Sequence, residues 1–343
     1  MKKILFSILL EFFAVFLIFA RPTNAQTNFE FKQNNKFGIH ILSENDINDA
    51  SALVNSNGGS WGYVTIVIRE DERDLKRWTR AFTQMNEHKL IPIVRIATSQ
   101  QETLWRKPSP ADALDWVKFL EQLPWPTEKK HVMVYNEPNH SSEWGGEINP
   151  KEYARVYRTF WEEFKKSDKN FVVLPAALDL TAPNGKNTMD AIDFWEKMYE
   201  EDDLIFTLFD GWNSHSYPNP GFCGSPQDTG RTSIQGYLWE MENLKKLYLN
   251  PSLPVYITET GWGCNLLTEK TISENYEYAF NHIWSDPQVV AVTPFVLNYP
   301  NQPFAHFSFK NQSGQFFDFY EVIKNLPKIK GEPKLITNTQ IGI

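Results

Sequence analysis

The chain has 343 residues, with 34 Lys and Arg against 42 Asp and Glu, a formal net charge of −8. An acidic balance without basic runs excludes nucleic acid as the ligand, since a polyanion needs a basic patch to bind. No CxxC, HExxH, GxSxG or phosphate-cradling glycine loop occurs, so no metal, serine nucleophile, nucleotide or other cofactor is implied.

At the start, Lys2 and Lys3 precede an apolar run over 4–20 that only Ser7 and Glu11 interrupt, and Thr23-Asn24-Ala25 offers small residues to a signal peptidase. Residues 1–25 read as a cleaved signal peptide or as an uncleaved anchor, since about 20 apolar residues span a bilayer. Either way the rest of the chain is expected outside the cytoplasm, secreted or tethered, and only the second case puts it at a membrane. Without residues 1–25, which carry Lys2, Lys3, Arg21 and Glu11, 31 basic and 41 acidic side chains remain, a net charge of −10.

Short apolar runs of strand character then alternate with amphipathic stretches. The strand-like runs cover 37–42, 63–68, 91–96, 132–136, 171–177, 208–214, 254–259 and 289–297. They are continuously apolar, as parallel strands buried on both faces should be. Helices are expected from about 46–54, 71–86, 113–123, 153–164, 190–199, 233–249, 276–285 and 317–326. Ser109-Pro110 and Asn149-Pro150 supply an N-cap followed by proline at the first helical position. Eight strands strictly alternating with eight helices predict an α/β fold, a single (β/α)8 TIM barrel over 27–328. The rival, an open doubly wound sheet, lacks its glycine-rich first turn here. The polar, lysine-rich segment 329–343 reads as a tail, loose or laid on the surface.

In such a barrel, reacting groups sit at the C-terminal ends of the strands. Read in order, those ends offer His40, Arg69, Arg95, Asn136-Glu137-Pro138-Asn139-His140, Trp212-Asn213-Ser214-His215-Ser216-Tyr217, Glu259-Thr260-Gly261-Trp262 and Asn298-Tyr299. Two glutamates projected into one cleft, Glu137 and Glu259, can cleave a glycosidic bond with retention: one donates a proton to the leaving oxygen and the other attacks the anomeric carbon. Direct attack requires carboxyl groups about 5–5.5 Å apart, and a wider gap would leave room for a water and imply inversion.

Asn-Glu-Pro after the fourth strand, His-x-Tyr after the sixth and Thr-Glu on the seventh resemble the clan A retaining (β/α)8 glycoside hydrolases, which include the cellulase family, family 5. The resemblance implies Glu137 as acid/base and Glu259 as nucleophile. It also implies Asn136 on the 2-hydroxyl of the sugar, Tyr217 aligning Glu259, and His215 touching the substrate or the acid. Arg95, ending an apolar run, is preferred to Arg69, at the head of a solvated charge run, as the arginine beside the nucleophile. Where many clan members carry a tryptophan after the eighth strand, this chain has Asn298-Tyr299 and later Phe309, and either ring is expected to substitute.

Trp61, Trp105, Trp144, Trp212 and Trp262 fall near strand ends, where indoles stack on sugar rings. Trp125, Trp161, Trp195, Trp239 and Trp284 read instead as packing. In the loop 139–146, His140 and Trp144 are expected to touch substrate, as are His40 and Trp262, although His40 reads equally as core. Cys223 and Cys264 form a disulfide or remain two packed thiols. The resulting expectation is an exported retaining β-glycosidase acting on an oligo- or polysaccharide, with carbohydrate as its partner and no stable protein partner implied. The alternatives are a transglycosylase with the same residues and a carbohydrate-binding barrel without activity.

Overall fold

The computed structural model describes residues 34–299 and 301–336; the signal or anchor reading of 1–25 lies outside them. Eight parallel strands carry the fold: β1 (Gly38–Ile41), β2 (Gly62–Arg69), β3 (Leu90–Ala97), β4 (Lys130–Val134), β5 (Phe171–Pro175), β6 (Trp212–His215), β7 (Val255–Glu259) and β8 (Val289–Val292). They alternate with α1 (Ile47–Val54), α2 (Leu75–Glu87), α3 (Ala113–Leu120), α4 (Pro150–Ser167), α5 (Ala191–Glu201), α6 (Gly236–Leu244), α7 (Glu269–Tyr278) and α8 (Asp318–Asn325). A short antiparallel ribbon, Gln100–Gln101 with Leu104–Trp105, follows β3.

Neighbours in sequence are neighbours in the sheet, β1 to β5 in one segment and β6 to β8 in another. Backbone bonds cross the first seam, from Val292 N–H to the Lys36 carbonyl and from His40 N–H to that of Pro294. A parallel bridge between Asp179 and His215 crosses the other. The chain is thus the expected α/β (β/α)8 barrel. The sixth strand is shorter than 208–214: Ile205–Thr207 form a 3-10 turn and Leu208–Gly211 lie outside the strand. β8 likewise stops at Val292, not at 297.

Successive side chains on a strand point to opposite faces, so every strand feeds two cores. Val64, Ile66 and Ile68 of β2 pack outward into the helix layer. Tyr63, Ile91, Ile93, Met133, Leu174 and Tyr256 turn inward and fill the barrel floor. The helices meet the strands through amphipathic faces; α4 buries Tyr153, Val156, Tyr157, Phe160 and Phe164, and the Asn149 side chain caps its start by accepting from Glu152 N–H.

A buried polar layer lies inside the barrel as well. Thr65 and Thr293 are hydrogen-bonded at 2.8 Å, and the Thr258 hydroxyl donates to Asn213 Oδ1 at 2.6 Å. The Asn213 amide in turn donates to the Pro175 carbonyl at 3.0 Å. Satisfied polar groups of this kind hold the strands in one register, because any slip leaves them unpaired in a dry interior.

The segment after α8 lies against the barrel: Lys334 O accepts from Glu128 N–H, and Thr127 bridges Leu335. Lys328 closes α8, its ammonium donating to the carbonyls of Ile323, Lys324 and Leu326 while lying 4.6 Å from the Phe37 ring centroid. Lys328→Met keeps the aliphatic stem but leaves those carbonyls short of a donor. It is expected to lower stability by about 1–3 kcal/mol in denaturant melts.

Candidate active site

The site is assembled from strand ends on one rim of the barrel. Beyond β4 the backbone turns sharply, with Tyr135 at φ +68° and Glu137 at φ +31°. Side chains seldom occupy that region, and such strain persists where the surroundings enforce it. Here Glu137 N–H donates to the Ala177 carbonyl at 3.1 Å, so the turn is tied to the chain leaving β5. On β7, an irregularity in register pairs Ser214 with Ile257 but His215 with Glu259. The extra residue lets Thr258 join the polar layer while Glu259 faces the mouth, the re-aiming that a β-bulge produces.

Oxygens of Glu137 and Glu259 and the His215 Nδ1 atom all lie within 4.8 Å of one another. Glu259 is buried and surrounded by donors. Arg95 Nη1 stands 3.4 Å from Oε1, the Tyr217 hydroxyl donates to Oε2 at 3.2 Å, and His215 Nδ1 and His40 Nδ1 are each 3.8 Å away. Burial alone would raise the pKa of Glu259. The opposing charges of His215 and Arg95, with the Tyr217 hydrogen bond, hold it below the usual carboxylate range.

Glu137 has a different environment: it is half-buried, and its one side-chain partner among the described residues is His215, at 2.7 Å. Burial lowers the pKa of His215, but the charge of Glu259 and the bond to Glu137 outweigh it and raise the pKa overall. The three clustered ligand atoms could in principle hold a cation, yet the His215 atom involved is the one engaged with Glu137. The arrangement suits proton transfer beside a fixed anion.

Most of the expected site residues converge on one cleft of about 610 Å³, lined by Arg95, Asn136, Glu137, His140, His215, Tyr217 and Glu259. Asn136 Oδ1 is buried with no partner among the described residues. His140 Nε2–H donates to Asp179 at 3.0 Å, which places both on the rim. Arg95 is the arginine at Glu259, whereas Arg69 is spent on a two-point contact with Asp71.

Three expectations are corrected. Trp144 has no exposed surface; its ring packs edge-on against Tyr135 and Tyr153, and its indole N–H donates to Glu152 at 2.9 Å. Trp262 is buried against Tyr276, with its N–H on the Gly224 carbonyl. His40 is fully buried beneath Glu259 and away from the cleft surface, and burial pushes its pKa down to about 4, so it stays neutral. In each case a residue near a strand end faces the core, a choice that spacing does not encode. Trp61 and Trp212 are core as well, which leaves Trp105 as the tryptophan on the cleft.

Aromatic surface comes mostly from elsewhere. Tyr217, Phe222, Phe307, Phe295, Phe304 and Tyr299 form a run of rings in contact, with centroids 4.8–5.8 Å apart, along one wall. Tyr299 is thus on the cleft as expected, but Phe309 is buried against Phe319. Sequence reasoning missed this wall because its phenylalanines lie in loops of no fixed spacing. It also passed over Glu143 and Asp179, both of which line the cleft.

Behind the wall, Cys223 and Cys264 are joined as a disulfide with Cα atoms 5.2 Å apart, linking the loops after β6 and β7. Cys223 follows Phe222, and Gly263 packs so closely on Phe307 that a Cβ there would come within 2.6 Å of its ring.

A family model described as glycosyl hydrolase catalytic core matches residues 77–319. No curated protein matches the chain. Among solved structures, it is similar to a GH128 (subgroup II) endo-β-1,3-glucanase from Sorangium cellulosum, with 14% identity, 85% of this chain and 98% of that one covered, and a TM-score of 0.56. A GH5_18 protein from Bifidobacterium longum subsp. infantis shares 14% identity over 87% of this chain and 81% of its own, with a TM-score of 0.57. A glucosidase from Croceicoccus marinus reaches a TM-score of 0.62 at 11% identity, covering 86% and 67%.

The bridge closes a loop of 41 residues in sequence separation. Cys223→Ser with Cys264→Ser is therefore expected to lower stability by about 2–4 kcal/mol in thermal or denaturant melts, and the same loss should follow reduction of the native protein.

Proposed function

The chain belongs to the glycosyl hydrolase catalytic core family and is a glycosidase, and we propose that it cleaves β-glycosidic bonds of an oligo- or polysaccharide by double displacement, with retention. Glu259 is the nucleophile and Glu137 the acid/base. The observation that carries this reading is the approach of the two carboxylates to within 4.8 Å in opposite environments. That approach fits direct attack better than the wider separation an inverting enzyme keeps for its water.

Each residue contributes a definable part. Arg95, Tyr217 and His215 keep Glu259 ionised and fix its oxygens, so that one of them faces the anomeric carbon. Glu137, less buried and with its side chain bonded to His215, protonates the leaving oxygen, then takes a proton from the water that hydrolyses the glycosyl-enzyme. Asn136, with its free buried oxygen beside Glu137, accepts from the 2-hydroxyl of the sugar, a bond that strengthens in the oxocarbenium-like transition state. The aromatic wall supplies apolar faces for pyranose rings, and Trp105 a platform on the opposite rim. Similar solved structures described as an endo-β-1,3-glucanase and an endo-β-1,4-glucanase favour a β-glucan-type substrate. The disulfide supports an oxidising, extracytoplasmic location.

A 2-fluoro glycoside with a good leaving group should label Glu259; hydrolysis without a trapped ester on that residue would remove the nucleophile assignment. Glu259→Ala should cost roughly 10⁴-fold or more in kcat while the barrel stays folded. Glu137→Ala should spare activated aryl glycosides and respond to azide, and equal losses on activated and natural substrates would sink its role as acid. Tyr217→Phe takes a donor from Glu259 and so raises its pKa. Because turnover requires the ionised form, the acidic limb of kcat/KM should move to higher pH.

A further inference from the structure

One carboxyl on the cleft has no part in that chemistry. Glu143 sits on the 3-10 turn Ser141–Trp144, directly past Glu137. The turn is built to stay in place. Trp144 plugs it into the core. Ser141 N–H donates to the Asn187 carbonyl at 2.8 Å, and Gly146 N–H to that of Ser141 at 2.8 Å. Gly145 adopts φ +66° so close to Lys107 that a Cβ would meet its side chain at 2.6 Å. From this support Glu143 faces the cleft, with Arg95 Nη2 at 3.8 Å as its nearest cation. That is beyond hydrogen-bond reach, and no described donor bonds either oxygen.

A half-buried carboxyl that no described donor bonds has its hydrogen-bonding capacity open to a ligand in the cleft. Four charged or titratable groups act on it: Arg95 from β3, Glu137 and His140 from the loop after β4, and Glu259 at the end of β7. Burial pushes its pKa up to about 7, aided by the two other glutamates and opposed by Arg95, so near neutrality it can accept or donate. Arg95 stands between Glu143 and Glu259, which puts Glu143 one guanidinium's span from the nucleophile. The sugar whose anomeric carbon meets Glu259 must pass beside it.

We propose that Glu143 is a specificity-determining residue, whose two carboxyl oxygens hydrogen-bond adjacent hydroxyls of the pyranose bound against Glu259. This assignment rests on the double-displacement reading above. It makes the enzyme selective for sugars that carry a free vicinal diol at that edge of the ring. Arg95 holds the carboxyl in line without consuming its hydrogen-bonding capacity.

The test compares the intact protein with Glu143→Ala and Glu143→Gln on the 4-nitrophenyl β-glycoside it cleaves best, and on the analogues lacking one ring hydroxyl each. Glu143→Ala is expected to lose about 10- to 100-fold in kcat/KM on the parent glycoside, with Glu143→Gln intermediate and melting temperatures unchanged. On the one or two analogues missing the hydroxyls that Glu143 contacts, the loss should shrink to within about twofold, as a double-mutant cycle requires. No loss on the parent, or the same loss on every analogue, overturns the assignment. Glu259→Ala runs alongside: if it keeps activity, the double-displacement reading falls and takes this proposal with it. If it abolishes turnover while Glu143→Ala changes nothing, Glu143 alone is misassigned.

Discussion

A buried carboxylate at the mouth of a barrel is the constraint around which this structure is arranged. Glu259 is deeply buried, and taking its charge out of water is costly unless opposing charge and hydrogen bonds replace the solvent. Arg95 from β3, with His215 and Tyr217 from the end of β6 and the loop after it, supplies that replacement. His40 lies directly beneath and remains neutral because its own burial is complete. The groups that hold the anion in place are also the groups that aim it, so stability and chemistry share one set of contacts.

The loops above the strands are fixed by unlike devices. A disulfide ties the β6 and β7 loops behind the aromatic wall. Trp144 anchors the turn after Glu137 by filling the core. The His140–Asp179 pair joins the loops after β4 and β5; burial of Asp179 works against its charge, but His140 and Thr181 hold its pKa down to about 2. Each device lowers the entropy of a segment that carries cleft residues, and pre-organised groups cost less to align with a substrate. The two cleft walls also differ in character: contiguous rings on one side, and ionisable groups around Trp105 on the other.

Much of this was legible in the chain itself. Continuous apolar runs marked seven of the eight strands, and Ser109-Pro110 and Asn149-Pro150 marked two helix starts, because burial on both faces and capping leave local signatures. Errors arose where local pattern is silent. Leu208 to Gly211 are apolar enough for a strand but lie in a bend that precedes it. Trp144 and Trp262 stand next to site residues, yet their indoles fill gaps in the core, and a tryptophan's position in sequence does not say which way its ring turns.

By itself, the sequence determined the order of elements, the closed parallel architecture and the pair of glutamates at the ends of the fourth and seventh strands, since these follow from periodicity and strand direction. Only tertiary structure decided that Arg95 and not Arg69 meets Glu259, that phenylalanines from distant loops form the wall, and that Glu143 faces the cleft. Such facts depend on distances between residues far apart in the chain, and those distances exist only once the barrel has closed.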